Sequence, residues 1–218
     1  MVSLLDSSDS SHASYHSEVQ STLSALDLVK KLREDPSVNE LDLLSFFDAL
    51  PPKAREDHLT LSTLRGLDGL STPLVFEHTK DLETGEEITM RRCSMILFPG
   101  KKLCSHPGII HGGMLSTIMD EALAMAAYDF DTFKKGKVGF TARLELDFRS
   151  PVPAGKPLLI EAWQDQLDGR KTWVHGRMSP LDTADSKPLH LEAKALFIQA
   201  RPPPTASSAS SASTDGSS

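Results

Sequence analysis

The sequence predicts an α+β domain: a curved antiparallel sheet wrapped around one long helix, with an N-terminal helical extension. Three observations predict it. First, residues 112–128 form a helical segment that is apolar nearly all round (Met114, Leu115, Ile118, Met119, Leu123, Ala126), and such a helix has to be buried on every side. Second, six strand-like runs flank this single helix in the order β-β-α-β-β-β-β. Third, the runs are joined by tight turns such as Asp168-Gly169, which implies antiparallel neighbours.

Taken in order, the chain opens with a tail. Seven of the first 17 residues are Ser, and such a segment buries too little apolar surface to offset its ordering entropy, so residues 1–20 are expected to be disordered. Residues 21–72 read as a helical extension. Leu23, Leu26, Val29 and Leu32 recur every three residues until Pro36 stops them. Ser37-Val-Asn-Glu40 then has the form of a capping box ahead of a helix with the stripe Leu41, Leu44 and Phe47. After Pro51-Pro52, residues 53–64 can form one more short helix. The extension is read as a cap packed on the main domain, with a lid over a ligand site as the sharper alternative.

Residues 73–200 carry the main domain. Strands are expected from Leu74, over 87–98, and then over 138–149, 157–167, 171–179 and 189–199. Glu83-Thr-Gly85 separates the first two, and Pro151-Val-Pro-Ala-Gly155 lies between the first two that follow the helix. Trp163 and Trp173, on strands flanking the Asp-Gly hairpin, are read as sheet packing. Residues 201–218, again with seven Ser, form a second expected disordered tail.

Composition excludes several function classes. The 218 residues carry a net charge of −7 and no basic stripe, which argues against nucleic acid. The acidity is local: residues 1–72 hold 12 acidic against 6 basic side chains, whereas residues 73–218 hold 18 against 17. No apolar run approaches the ~20 residues of a membrane span. Cys93 and Cys104 make neither a disulfide framework nor a metal knuckle, so a reducing, cytoplasmic setting is expected. His106 and His111 lack a third ligand, so no metal is expected, nor any cofactor.

The chemistry concentrates in residues 105–128, SHPGIIHGGMLSTIMDEALAMAAY. Gly112-Gly113 open the helix, where amides are free and uncrowded and can hold an oxyanion. Asp120 and Glu121 interrupt the apolar helix, which is costly unless they are partnered or functional. Glu121, 100° round the helix, is read as a supporting residue; Asp120 paired with Arg143 for stability is the plainer reading of the first acid. Ser116 lacks a nucleophile elbow. Gly112 and Asp120 are eight residues apart, roughly 12 Å along a helix. One copy's amide and its own carboxylate therefore cannot meet at one carbonyl, whereas an antiparallel second copy of the helix brings them together.

The pattern His111-Gly112-Gly113 with Asp120 nine residues after the His, and the run Gly139-Phe-Thr-Ala-Arg-Leu-Glu-Leu-Asp-Phe-Arg-Ser-Pro-Val-Pro-Ala-Gly155, resemble the hotdog-fold thioesterase superfamily. The likeness is to the branch of the phenylacetate-pathway and 4-hydroxybenzoyl-CoA thioesterases, and it covers residues 73–200. It implies a hotdog fold, a homodimer or homotetramer, and hydrolysis of an acyl-CoA to free acid and CoA. Carried over by position, Gly112 N–H would take the thioester oxygen and Asp120 of the facing subunit would act as general base or nucleophile. Thr141 would hold the water or the carboxylate, and His111 would shape the turn rather than move protons. Gly113, Ser105, His106 and Arg149 would contact substrate, Arg149 as the first choice among the cations for a CoA phosphate. Many members carry Asn or Gln six residues before the His; here that place is Ser105, followed by His106, so the carbonyl or water is held differently or by His106. The alternatives are a non-catalytic acyl-CoA-binding dimer and a thioesterase acting on a carrier-bound acyl group. A hydratase of this fold places its Asp shortly before a His, the reverse of the order found here.

Overall fold

The computed structural model describes residues 10–48, 50–81, 84–129, 139–181 and 189–200. The expected C-terminal tail and the first nine residues lie outside that set, as do residue 138 of the third expected strand and Glu83 of the first turn.

One seven-stranded antiparallel sheet carries the domain. Its strands are β1 (Val38–Leu41), β2 (Leu74–Lys80), β3 (Glu87–Leu97), β6 (Gly139–Phe148), β7 (Leu158–Asp168), β8 (Lys171–Pro180) and β9 (Leu191–Gln199), ordered β1-β2-β3-β7-β8-β9-β6. A small ribbon, β4 (Cys104–His106) with β5 (Ile109–Ile110), leads into the helix α5 (Gly112–Ala127). Helix α5 lies on the inner face of the sheet, against β7, β8, β3, β9 and β6. Leu115, Ile118, Met119 and Leu123 of α5 meet Ile160, Val174, Met178 and Phe197 there in one buried core.

Burial of the strands explains their sequence texture. β8 and β9 alternate, with Val174, Gly176 and Met178 inward while Trp173, His175 and Arg177 face out. The outward Trp163 stacks on His175, and Lys194 lies over Trp173, so both tryptophans pack on the sheet surface. β2, β3 and β7 instead read Leu-Val-Phe, Met-Ile-Leu and Leu-Leu-Ile, because both of their faces are covered there. The second cover consists of α1 (Ser10–Ser24) and α2 (Asp27–Glu34). Their Val19, Leu23, Val29 and Leu32 pack on Leu74, Phe76, Ile96 and Leu159.

Two expectations for the extension are corrected. Residues 10–20, assigned to the tail, belong to α1. Its serines hide an apolar pair, Val19 and Leu23, spaced for one helix face and seated on the sheet. Gln20 Nε2 also donates to Thr72 O at 2.7 Å. The supposed capping box at Ser37–Glu40 does not start a helix: these residues enter β1, which pairs with β2 from Val38↔His78 to Leu41↔Val75. Asp35 takes the Ser37 amide and hydroxyl at 2.8 and 2.6 Å, and Arg33 takes the Glu40 carboxylate at 2.7 and 2.8 Å. Both partners that a capping box needs are thereby engaged elsewhere. The helix α3 (Leu43–Asp48) begins later, with Asp42 accepting from the Ser45 amide, and Leu43 is buried whereas Leu44 is exposed. Residues 53–64 resolve into α4 (Pro52–Glu56) and a π-helical turn at Leu59–Thr63.

The C-terminal end of α5 is closed by the sheet. Arg91 Nη2 donates to Met125 O at 3.3 Å and Gln164 Nε2 to Ala127 O at 3.2 Å, which answers carbonyls that the helix itself cannot satisfy. Glu77 pairs with the Arg91 guanidinium, so the cation is not left buried alone.

Gly176 sets how closely α5 approaches. A Cβ there would stand 2.9 Å from Leu123 Cδ2 and 3.1 Å from Met119 Cε. Gly176→Ala is therefore expected to destabilise the fold by about 1–3 kcal/mol through overpacking, measured by urea denaturation; an unchanged midpoint would contradict this packing.

Candidate active site

The site is built where α5 begins and where β6 runs beside it. His111 caps the helix: its Nδ1 accepts the Gly113 amide at 2.9 Å, which fixes the proton of the neutral ring on Nε2. The His111 carbonyl takes the amides of Met114 and Leu115. Gly112 N–H is left without an acceptor among the described residues, as the first amide of a helix should be. Of the two glycines, Gly112 thus offers the available donor, whereas Gly113 is spent on the cap. Ser116 Oγ bonds back to Gly112 O at 3.0 Å, as a helix-packing serine does.

Asp120 lies two turns further along α5, and Thr141 Oγ1 donates to its Oδ1 at 2.9 Å. A β-bulge makes this contact possible. In the β6–β9 register Thr141 faces Phe197 and Arg143 faces Leu196, so Ala142 is an extra residue on β6. Both Thr141 and Leu144 consequently point inward, although strict alternation would put them on opposite faces. Arg143 pairs with Glu145 on the same strand, so the reading in which Asp120 is a structural partner of Arg143 is corrected. Thr141 holds Asp120 Oδ1, and among the described residues no donor meets the other oxygen, which can take a second one.

The remaining residues singled out in the sequence lie elsewhere. Ser105 Oγ and His106 Nδ1 contact one another at 3.1 Å on the rim of an open cleft of about 460 Å³, which is also lined by Lys101, Cys104, Pro107, Gly108 and Ala154. Asp120 and Gly112 are not part of that cleft. Arg149 is held outside the site by Glu192, with Nε at 2.8 Å, and by Asp147 at 3.4 Å.

Sequence reasoning missed two neighbours. Phe148 is 52% exposed, and its ring lies 3.8 Å from where a Gly112 side chain would begin, so it walls the free amide. Its place at inward phase on β6, just before the Pro-rich turn, was the available signal. The second is Thr60, whose hydroxyl donates to Glu121 Oε1 at 3.1 Å across 61 residues of sequence. No local pattern encodes a contact of that span. Burial pushes the Glu121 carboxyl above its ordinary value, the Thr60 hydrogen bond and nearby His58 oppose this, and Asp120 adds to it.

With this geometry in view, the relatives can be placed. Residues 107–184, which include His111, Gly112, Asp120, Thr141 and Arg149, match the thioesterase superfamily. The chain is 29% identical over 161 residues to acyl-coenzyme A thioesterase THEM4 of Rattus norvegicus, across 70% of this chain and 66% of that protein. It is 32% identical over 112 residues to the Xenopus laevis protein of the same name, across 51% and 47%. To MIOREX complex component 3 of Saccharomyces cerevisiae it is 29% identical over 161 residues, across 72% and 54%. The matched region thus spans about two thirds or less of each of these relatives. A solved thioesterase superfamily protein from Shewanella loihica aligns with a TM-score of 0.40 at 18% identity, across 50% of this chain and 84% of that one. Residues 107–184 are thus similar to the thioesterase superfamily, and the helix packed on the inner face of an antiparallel sheet is the architecture expected from the sequence.

The raised Glu121 carboxyl has a consequence for stability. As pH falls, the folded chain takes up this proton before the unfolded chain does. Between the raised value and the ordinary 4.5, stability therefore declines with rising pH, and at neutral pH the fold carries the cost of the charge. Glu121→Gln, which keeps an acceptor for Thr60, is expected to raise the thermal midpoint at pH 7. The gain should vanish below pH 4.5, where both proteins are neutral at this position; scanning calorimetry across that range checks it.

Proposed function

We propose that this chain hydrolyses acyl-CoA thioesters, with Asp120 as general base and Gly112 N–H as the oxyanion donor. The observation that carries this reading is the Thr141–Asp120 hydrogen bond on the same helix that opens with an unused amide. Asp120 takes a proton from water, and the resulting hydroxide adds to the thioester carbon. The carbonyl oxygen becomes an oxyanion against Gly112 N–H, where the positive end of α5 favours negative charge. Collapse breaks the C–S bond, and the leaving CoA thiolate takes the proton from Asp120. The THEM4 relatives, named as acyl-coenzyme A thioesterases, support the substrate class.

The two groups must come from different copies, since roughly 12 Å of helix separates them within one. β6 suits such pairing. It is an edge strand of ten residues, with Phe140 63% and Phe148 52% exposed, and it carries Thr141 at its rim. Among the described residues its outer side is unpaired, and an edge of this length is a template for a second strand. Two copies joined there, with their α5 helices antiparallel, form two equivalent sites. Both cysteines are free thiols, which fits a reducing compartment such as the cytoplasm. No described helix is long and apolar enough to cross a membrane.

Thiol release from a panel of acyl-CoAs tests the reading. Asp120→Asn is expected to lower kcat/KM by about 10²-fold or more. Thr141→Val should cost about tenfold, by removing one hydrogen bond to a charged group. Wild-type protein that binds CoA but releases no thiol from any member would leave the non-catalytic acyl-CoA binder as the better description. Equal rates for Asp120→Asn would remove that residue from the chemistry.

A further inference from the structure

We propose that the N-terminal extension is part of the substrate site: the turn Leu59–Thr63, tied to α5 through Thr60 and Glu121, forms a wall beside Asp120 that selects the acyl group. This rests on the acyl-CoA reading above. Thr60 is 6% exposed and spends its hydroxyl on Glu121 Oε1 at 3.1 Å. Glu121 follows Asp120 directly on α5, about 100° round the helix, and the Asp120 charge acts on the Glu121 carboxyl, so the turn is tied to the same helical turn that carries the reacting carboxylate.

The turn is constructed to hold its shape. It is π-helical, a conformation rare in proteins and frequent at functional sites. His58 caps it, with Nδ1 accepting from Leu61 N–H, and the His58 ring meets Phe47 edge to face. Leu64, at its end, packs into the main core beneath. Thr60 and Leu64 therefore anchor the turn, whereas Leu59 stands 50% exposed beside them as an apolar surface. An apolar pair would tie the turn to the helix without the cost of a partly buried carboxylate. A carboxylate that is nevertheless used, next to Asp120, marks Glu121 as a positioning residue for this wall.

The test uses the full chain and acyl-CoAs from two to sixteen carbons, with kcat and KM measured on the shortest and longest chains that wild type turns over. Thr60→Val and Leu59→Ser are expected to change the ratio of the two KM values by about fivefold or more while kcat on the short substrate stays within about twofold. Glu121→Gln keeps an acceptor for Thr60 and should retain the wild-type ratio. Leu59 is exposed, so its variant folds even where Thr60→Val does not. An unchanged ratio, or equal losses on both substrates, overturns the proposal. Glu121→Leu, which leaves Thr60 without its acceptor, should shift the ratio like Thr60→Val, and an unchanged ratio in that variant overturns the role of Glu121. Wild type inactive on every chain length overturns the thioesterase reading instead, and this proposal with it.

Discussion

A helix that is apolar on nearly every face can exist in water only if something surrounds it, and α5 imposes that constraint on the whole domain. The sheet curls to cover it, Gly176 gives way so that Leu123 and Met119 can approach, and Arg91 and Gln164 reach in to meet its last carbonyls. Its first turn is answered differently. His111 satisfies the Gly113 amide from the side, and Gly112 N–H is left over. The same burial that stabilises the domain thus isolates one donor and one acid on a single rigid element. That element is anchored at both ends, so neither group can drift far from its place.

Much of this was legible in the sequence. The expected helix over 112–128 is α5, and six expected strands match β2, β3 and β6 to β9 within a few residues at each end. The reason is physical: these elements are specified by apolar periodicity and by turn residues, both local signals. The uninterrupted Met95-Ile-Leu run agrees with the second covering layer that the structure shows, because a half-exposed strand would alternate. The extension was read less well. Ser37 and Glu40 have the spacing of a capping box, yet Asp35 and Arg33 claim them, and the backbone joins β2. A motif of four residues cannot outweigh a free sheet edge lying beside it.

The site divides in the same way. Gly112, His111 and Asp120 follow from a helix start and a costly acid, both visible in one dimension. The orientation of Thr141 depends on a bulge at Ala142, which only the pairing with β9 reveals. Thr60 meets Glu121 across 61 residues, and Phe148 reaches Gly112 from another strand. Contacts of this kind come from topology rather than from spacing.

The extension's acidity is not what attaches it. Its ion pairs are internal and exposed, as in Arg33–Glu40, Lys53–Asp57 and Arg55–Asp48, and pairs of that kind contribute little to stability. The attachments are apolar on the outer face, through Val19, Leu23, Val29 and Leu32, and mixed on the inner side, through Leu43, Leu64 and Thr60. The chain therefore passes from one face of the sheet to the other around the edge that β1 occupies. That edge is four residues long and flanked by its own polypeptide, whereas the opposite edge, β6, is ten residues long and pairs with no further strand among the described residues. Covering one edge and leaving the other narrows the ways in which a second copy can extend the sheet. The open edge is also the one beside Asp120 and Thr141. The segment ahead of the matched residues 107–184 thus bears on which edge of the sheet is left to a further strand.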